Sequence, residues 1–216
     1  MDGTDGSEAV VLLSSTTGGS GEMVYVAVFG VRDGALKDLG IAQVGDRTKV
    51  QSVWLEKGNI VMDVIEAGPD DPACCPTQVA RKTFRLEGGT LKQLSSEVRG
   101  VLGISMLAAN EWTLIEMDGQ PLPVGVEPPL VLFERDTVRG FAGCNRFNAT
   151  VKETKPGVIE IGLAAGTRKA CPQPAMDLED GFLAQLAKVR GYTFLAGQLA
   201  LTWQDGDRIG MLLLKK

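Results

Sequence analysis

The chain carries four cysteines and no histidine, and these two facts bound the chemistry its side chains can do. Without an imidazole, neither a Ser-His-Asp nor a Cys-His relay can be assembled, and the zinc sites that rely on His are lost as well. General acid–base work near neutral pH would fall to carboxylates, lysines or thiols with shifted pKa values. Cys74 and Cys75 are adjacent, between Pro72 and Pro76. They could bond to each other in a strained, labile ring, hold a soft metal such as Cu(I), or pair elsewhere. The plainer reading is a structural loop clip, because a redox site ordinarily uses Cys-x-x-Cys with a base nearby. Cys144 and Cys171 lie 27 positions apart. A disulfide there would contribute about 3–4 kcal/mol by restricting the unfolded chain; the alternative is two buried, reduced thiols. Four cysteines allow three complete pairings, and they stay open at this point.

The remaining candidates read as structure first. Asp70 and Asp71 could ligate Ca²⁺, but no EF-hand spacing follows and carboxylates before a proline are ordinarily turn residues. Gly143-Cys144-Asn145 resembles a nucleophile turn only superficially, since Gly-x-Ser-x-Gly is absent. Asn145 reads as a turn residue that bonds backbone, and Trp54, Trp112 and Trp203 as core or hairpin packing. The expectation is a protein that is not an enzyme and has no cofactor, no catalytic residue and no metal site. A net charge of −5 with no Lys/Arg run gives no basic face for phosphates, so no nucleic-acid partner is expected.

The elements that must carry these residues are mostly strands. A 216-residue chain fits one large or two small domains. Residues 1–22 read as a flexible segment rich in Ser, Thr and Gly, with Val10 to Leu13 as a short strand inside it. Met23 to Phe29, Leu39 to Val44, Lys49 to Leu55, Ile60 to Glu66, Gln78 to Leu86 and Thr90 to Leu94 are rich in β-branched and aromatic residues. Turns at Glu56-Lys57-Gly58-Asn59 and Glu87-Gly88-Gly89 separate them. This predicts an antiparallel β domain over 23–95. Residues 96–110 read as a linker, with Val101 to Ala109 as a short helix packing between domains. Strands resume at Trp112 to Met117 and continue to Arg208 to Leu214. One helix, over 176–190, is predicted from Leu178, Phe182, Leu186 and Val189 at helical spacing, with Gly191 as its stop. Asp177, Glu179 and Asp180 read as charges in its first turns, and Lys188 and Arg190 as charges at its end. The predicted fold class is α+β, mostly β: an antiparallel β domain, then an antiparallel sheet packed with one amphipathic helix over 111–216.

A series of motifs runs through this second half. Gly140-Phe141-Ala142-Gly143-Cys144-Asn145-Arg146-Phe147 is followed by Thr167-Arg168-Lys169-Ala170-Cys171-Pro172 and then Glu179, framed by Trp112-Thr113-Leu114 and Leu199-Ala200-Leu201. In this order they resemble the META (HslJ-like) domain over residues 111–216, with Lys169 where the family often has Met. The segment Gly68-Pro69-Asp70-Asp71-Pro72-Ala73-Cys74-Cys75-Pro76-Thr77-Gln78 is similar to one in bacterial lipoproteins of the LppP/LprE type. These resemblances imply a non-catalytic protein of the bacterial periplasm or outer cell envelope, structural, stress-related or interacting in role. They also imply a membrane tether through a removed N-terminal lipid anchor. The expected partner is an unknown protein or a small apolar ligand or lipid, the latter held between helix 176–190 and the sheet. A thiol redox or metal role for Cys74 and Cys75 is the third reading.

Overall fold

The computed structural model describes residues 8–16, 18, 21–72 and 74–216. The fold is mostly β, α+β in class, with seventeen strands and one α-helix among the described residues. It divides into two compact units at Val101/Leu102, inside the segment read as a linker. No described helix is long and apolar enough to cross a membrane.

The first unit is an antiparallel meander: β1 (Glu8–Ser15), β2 (Met23–Arg32), β3 (Ala35–Asp46), β4 (Lys49–Glu56), β5 (Asn59–Glu66), β6 (Gln78–Glu87) and β7 (Thr90–Val101). It forms two sheets, β1-β2-β3 and β4-β5-β6-β7. Alternating residues supply one shared core: Val24, Val26 and Val28 from β2 meet Ile60, Met62 and Val64 from β5 and Phe84 from β6. Period-2 placement of β-branched residues is what lets each strand bury one face. The strand β1 contains the short strand expected at Val10 to Leu13 and extends it on both sides within the segment expected to be flexible, because Val10 and Leu12 pack on this core. The rest of that expectation, on residues 1–7, 17, 19 and 20, lies outside the described residues. The strand β7 runs past Leu94 to Val101, where exposed polar residues hide the alternation.

One charge is buried in this unit. Lys82 on β6 is 7% exposed. Its ammonium sits 2.7 Å from Glu66 Oε2 on β5 and donates to the Val44 carbonyl of β3 at 2.7 Å. It therefore ties the two sheets together. Truncating one partner of a buried pair leaves the other uncompensated, so Lys82→Ala should destabilise the first unit by about 3 kcal/mol in chemical denaturation. Lys82→Met with Glu66→Gln should lose clearly less. Equal losses would show that packing, and not the pair, matters here.

The second unit is a closed antiparallel barrel. Its strands are β8 (Glu111–Met117), β9 (Gln120–Pro121), β10 (Leu130–Phe133), β11 (Thr137–Phe141), β12 (Arg146–Lys155), β13 (Val158–Ile161), β14 (Ala165–Gly166), β15 (Val189–Leu195), β16 (Gln198–Asp205) and β17 (Arg208–Lys215). The path β10-β11-β12-β13-β15-β16-β17-β8 returns on itself because β8 also pairs with β10, Thr113 opposite Leu130. Inward side chains fill the interior; Trp112, Leu114, Ile159, Phe194 and Leu199 are all under 2% exposed.

The helix α1 (Gln173–Leu186) closes one end. It begins earlier than helical spacing suggested and stops before Val189. Pro172 is its N-cap residue and Pro174 sits in the first turn, where a missing N–H breaks no bond. Val189 and Gly191 belong to β15, and Lys188 and Arg190 lie outside the helix. The acidic residues consequently fall beyond the first turn, which holds none. Its apolar face, Leu178, Phe182 and Leu186, is buried, with Phe182 edge-on to Phe147 at 5.8 Å. At the opposite end, Leu102 and Leu107 are buried around a single 3-10 turn, Ile104–Met106, in place of the expected helix. Trp112 Nε1 donates to the Leu107 carbonyl at 2.9 Å, and Glu153 accepts from Ile104 N–H at 2.9 Å and from the Tyr192 hydroxyl at 2.9 Å. Burial, with the Glu153 carboxylate beside it, raises the Tyr192 pKa and keeps its phenol protonated.

Candidate functional site

The motif residues converge where the β11–β12 turn meets the start of α1. Gly140 leaves no room for a side chain: a Cβ there would fall on the Leu130 carbonyl of β10. Gly143 has φ of 109°, a region that side-chain-bearing residues rarely adopt, and α1 packs over it through Leu178 and the Ala175 carbonyl. Cys144 and Cys171 are disulfide-bonded, with Cα atoms 6.0 Å apart. The bond clamps the turn to the segment entering the helix.

Asn145, 7% exposed, is the hub. Its Oδ1 accepts from Lys169 N–H at 2.7 Å and from the Thr167 hydroxyl at 2.8 Å. Its Nδ2 donates to the Lys169 carbonyl and to Glu179 Oε1, both at 3.1 Å. Its own N–H donates to the other Glu179 oxygen. One amide side chain thus holds loop 167–169 and α1 against the barrel, with all its donors and acceptors used. Phe147 packs beneath on Phe182. Glu179, expected to be a helix-dipole charge, instead tethers the helix to this turn.

Sequence reasoning passed over a second tie. Asp118, at φ of 52° in the turn after β8, accepts from Trp203 Nε1 at 3.1 Å, Met211 N–H at 2.8 Å and Gln185 Nε2 at 2.7 Å. The Asp118-Gly119 pair signals a turn, but its reach to the end of α1 has no local signature.

What remains open lies outside the barrel. A groove of about 1130 Å³ crosses the outer faces of β8, β10, β11 and β12. Leu130, Leu132 and Phe141 form its apolar floor, and Arg139, Arg146 and Lys169 surround it, together with Glu111 and Glu127. Arg139 is paired with Glu134 at 2.7 Å, whereas no ion pair among the described residues includes Arg146 or Lys169. A smaller hollow of about 350 Å³ continues past Phe141 and Lys169 to Val124 and Pro174. The space between α1 and the sheet, where a ligand was expected, is occupied by Leu178, Phe182 and Leu186.

Cys74 and Cys75 are bonded to each other in the exposed loop between β5 and β6. Asp71 closes that loop, accepting from Gly68 N–H at 2.8 Å, Thr77 N–H at 2.6 Å and the Thr77 hydroxyl at 2.7 Å. The Gly68 N–H, then the Thr77 hydroxyl, holds its carboxyl below the usual Asp range. Asp71 is therefore the turn residue of the two readings offered for it. No group of three or more His, Cys, Asp or Glu among the described residues is placed to hold a metal. Trp112 and Trp203 are core, while Trp54 is half-buried beneath the Arg81 guanidinium at 4.8 Å.

No curated protein matches the chain. A solved structure described as the NMR structure of the protein from Burkholderia xenovorans is similar at 24% identity, covering 52% of this chain and 84% of its own, with a TM-score of 0.42. The profile of the META domain matches residues 105–215. That span holds the closed barrel, its helix and the Asn145 hub, and the chain belongs to the META domain family.

Proposed function

We propose that the chain is a non-catalytic binding module of the bacterial cell envelope, and that it works through the groove on the outside of the barrel. The carrying observation is a division of labour among polar groups. Within the motif, the side chains of Asn145, Thr167, Glu179 and the two cysteines are consumed in holding turn, loop and helix together, while those of Arg146 and Lys169 stand over an apolar floor without ion partners among the described residues. Two cations beside Leu130, Leu132 and Phe141 suit an amphiphile with an acidic head group, its chain on the floor and its head on the cations. The absence of His removes the commonest general base, which supports the non-catalytic part of the reading.

The envelope placement draws on the Cys144–Cys171 disulfide, a bond that persists in oxidising compartments. It also draws on the HslJ-like character of the motif series and the LppP/LprE-type segment around Cys74-Cys75. On this reading the protein is a periplasmic or lipid-tethered module, structural or stress-related in role.

The test uses the fluorescent fatty acid cis-parinaric acid as probe. The full chain should bind it saturably. Arg146→Glu with Lys169→Glu should weaken binding at least about tenfold, the loss expected for about 1.4 kcal/mol of head-group attraction. Leu132→Asp should weaken it by a similar factor. All three positions face outward, so circular dichroism should not change. No binding, or equal binding by all forms, would remove the groove from consideration.

A further inference from the structure

The pair Cys74–Cys75 belongs to the first unit, and three observations set it off from the other disulfide. First, its sequence separation is 1, against 27 for Cys144–Cys171. In the chain-entropy view a disulfide stabilises by closing a loop in the unfolded chain. A bond between neighbours closes almost none, so the fold gains little from it. Second, both residues are exposed, whereas Cys144 is 7% exposed. An attacking thiolate reaches the first bond more readily than the second, of which only the half-buried Cys171 side is open. Third, the loop has fastenings other than the bond. Asp71 closes it through Gly68 and Thr77, and Pro72 and Pro76 fix the backbone on either side. The two cysteines, neighbours in sequence, thus stay in one short loop fastened on both sides of them.

We propose that Cys74 and Cys75 form a reversible two-electron dithiol–disulfide site, addressed by a dithiol reductant from outside the chain. One thiolate of the reductant attacks a sulfur of the pair. A new S–S bond forms between them, the Cys74–Cys75 bond breaks, and its electron pair leaves on the other cysteine, which takes up a proton. The second thiol of the reductant, giving up its proton, attacks its own sulfur in the mixed disulfide. This closes the reductant's disulfide and releases the second cysteine, which is protonated in turn. The pair gains two electrons and two protons, and the reductant is oxidised by the same amount. The reverse steps re-form the pair, and the Asp71-closed loop favours that closure over pairing with another molecule.

The experiment titrates the oxidised full-length chain with dithiothreitol under native conditions. Free thiols are trapped by alkylation and assigned by peptide mass. Cys74 and Cys75 should become alkylated at a reductant concentration at least about tenfold below that which opens Cys144–Cys171, with the melting temperature moving by less than about 2 °C. After reductant removal and addition of oxidised glutathione, Cys74–Cys75 should return as the intramolecular pair. Three results would each overturn the proposal: both disulfides opening together, reoxidation to intermolecular dimers or mixed disulfides, or loss of the fold on reduction. A Cys74→Ser/Cys75→Ser variant provides the independent control. It should fold with an unchanged melting temperature, and its failure to fold would make the pair a structural clip and sink the redox role.

Discussion

Asn145→Asp should destabilise the META unit by about 4 kcal/mol at neutral pH, from two lost hydrogen bonds and one like-charge contact. The substitution exchanges an amide for a carboxylate of nearly the same shape, so packing is preserved and the effect isolates the hub. The new carboxylate still accepts from Lys169 N–H and the Thr167 hydroxyl. It loses both donations of Nδ2, to the Lys169 carbonyl and to Glu179 Oε1, and it sets a carboxylate oxygen against that Glu179 oxygen at a 7% exposed position. Each lost bond with its stranded partner is worth about 1–1.5 kcal/mol, and the like-charge contact adds a similar amount. The fold can relieve the repulsion by keeping one proton shared between the introduced carboxylate and Glu179. That raises a carboxyl pKa in the folded state above its unfolded value. The folded variant then binds a proton the unfolded chain has released, and its stability falls as pH rises above the unfolded carboxyl value of about 4. Urea denaturation at pH 7 and pH 4 should therefore show a smaller penalty at the lower pH. A penalty under about 1 kcal/mol at pH 7, or one that does not shrink on acidification, would mean that the hub is not what holds the turn.

The other large effect is expected at the opposite pole of the same interaction. Phe182→Ala should also cost about 4 kcal/mol, within the range of Phe-to-Ala changes in filled cores. In thermal melts the META transition should fall by about 15 °C. The phenyl ring is 0% exposed and stands edge-on to Phe147. Removing it leaves a void in the barrel mouth that neighbouring strands, locked in a closed ladder, are poorly able to fill. Met176→Ala, on the exposed side of the helix at 37%, is the control and should change stability by less than about 0.5 kcal/mol. If the two variants behaved alike, α1 would be an ornament on the barrel and not its plug.

Strand identity was legible wherever one face is buried and the other is not. The strand β12 alternates Arg146, Phe147, Asn148, Ala149, Thr150 and Val151 between outside and inside without interruption, and its hydrophobic pattern announces this. The turns at Lys57-Gly58 and Gly88-Gly89 were equally plain, because each needs positive φ. The failures share a cause. The far end of β7 has exposed residues on both faces, so no alternation marks it. The start of α1 was hidden by Pro174, a residue that breaks helices everywhere except the first turn. Closure of the barrel rests on β8 pairing with both β10 and β17, a relation between distant segments that no local window contains. The candidate site divides the same way. Cys144, Asn145 and Cys171 stood out as a motif, whereas the role of Glu179 as a tether, and the groove assembled from outward side chains of four strands, exist only once the barrel is closed.

That closure also decides where the molecule is open to self-association. A strand whose outer N–H and C=O groups lack a neighbour is a template for another chain. Because β8 is bonded on both sides, the META barrel's open edges among the described residues are confined to the two-residue strands β9 and β14 and to the seam where β13 meets β15 at the single pair Val158 and Gly191. Within the first unit's described sheets, β1 and β3 each pair only with β2, β4 only with β5 and β7 only with β6. The two longest of these, β3 and β7, carry Lys37 and Asp38, and Lys92, Glu97 and Arg99, at exposed positions, charges that oppose the docking of an apolar strand. Protection against fibre-like assembly is therefore topological in one half of the chain and electrostatic in the other, and only the electrostatic half weakens when salt is added.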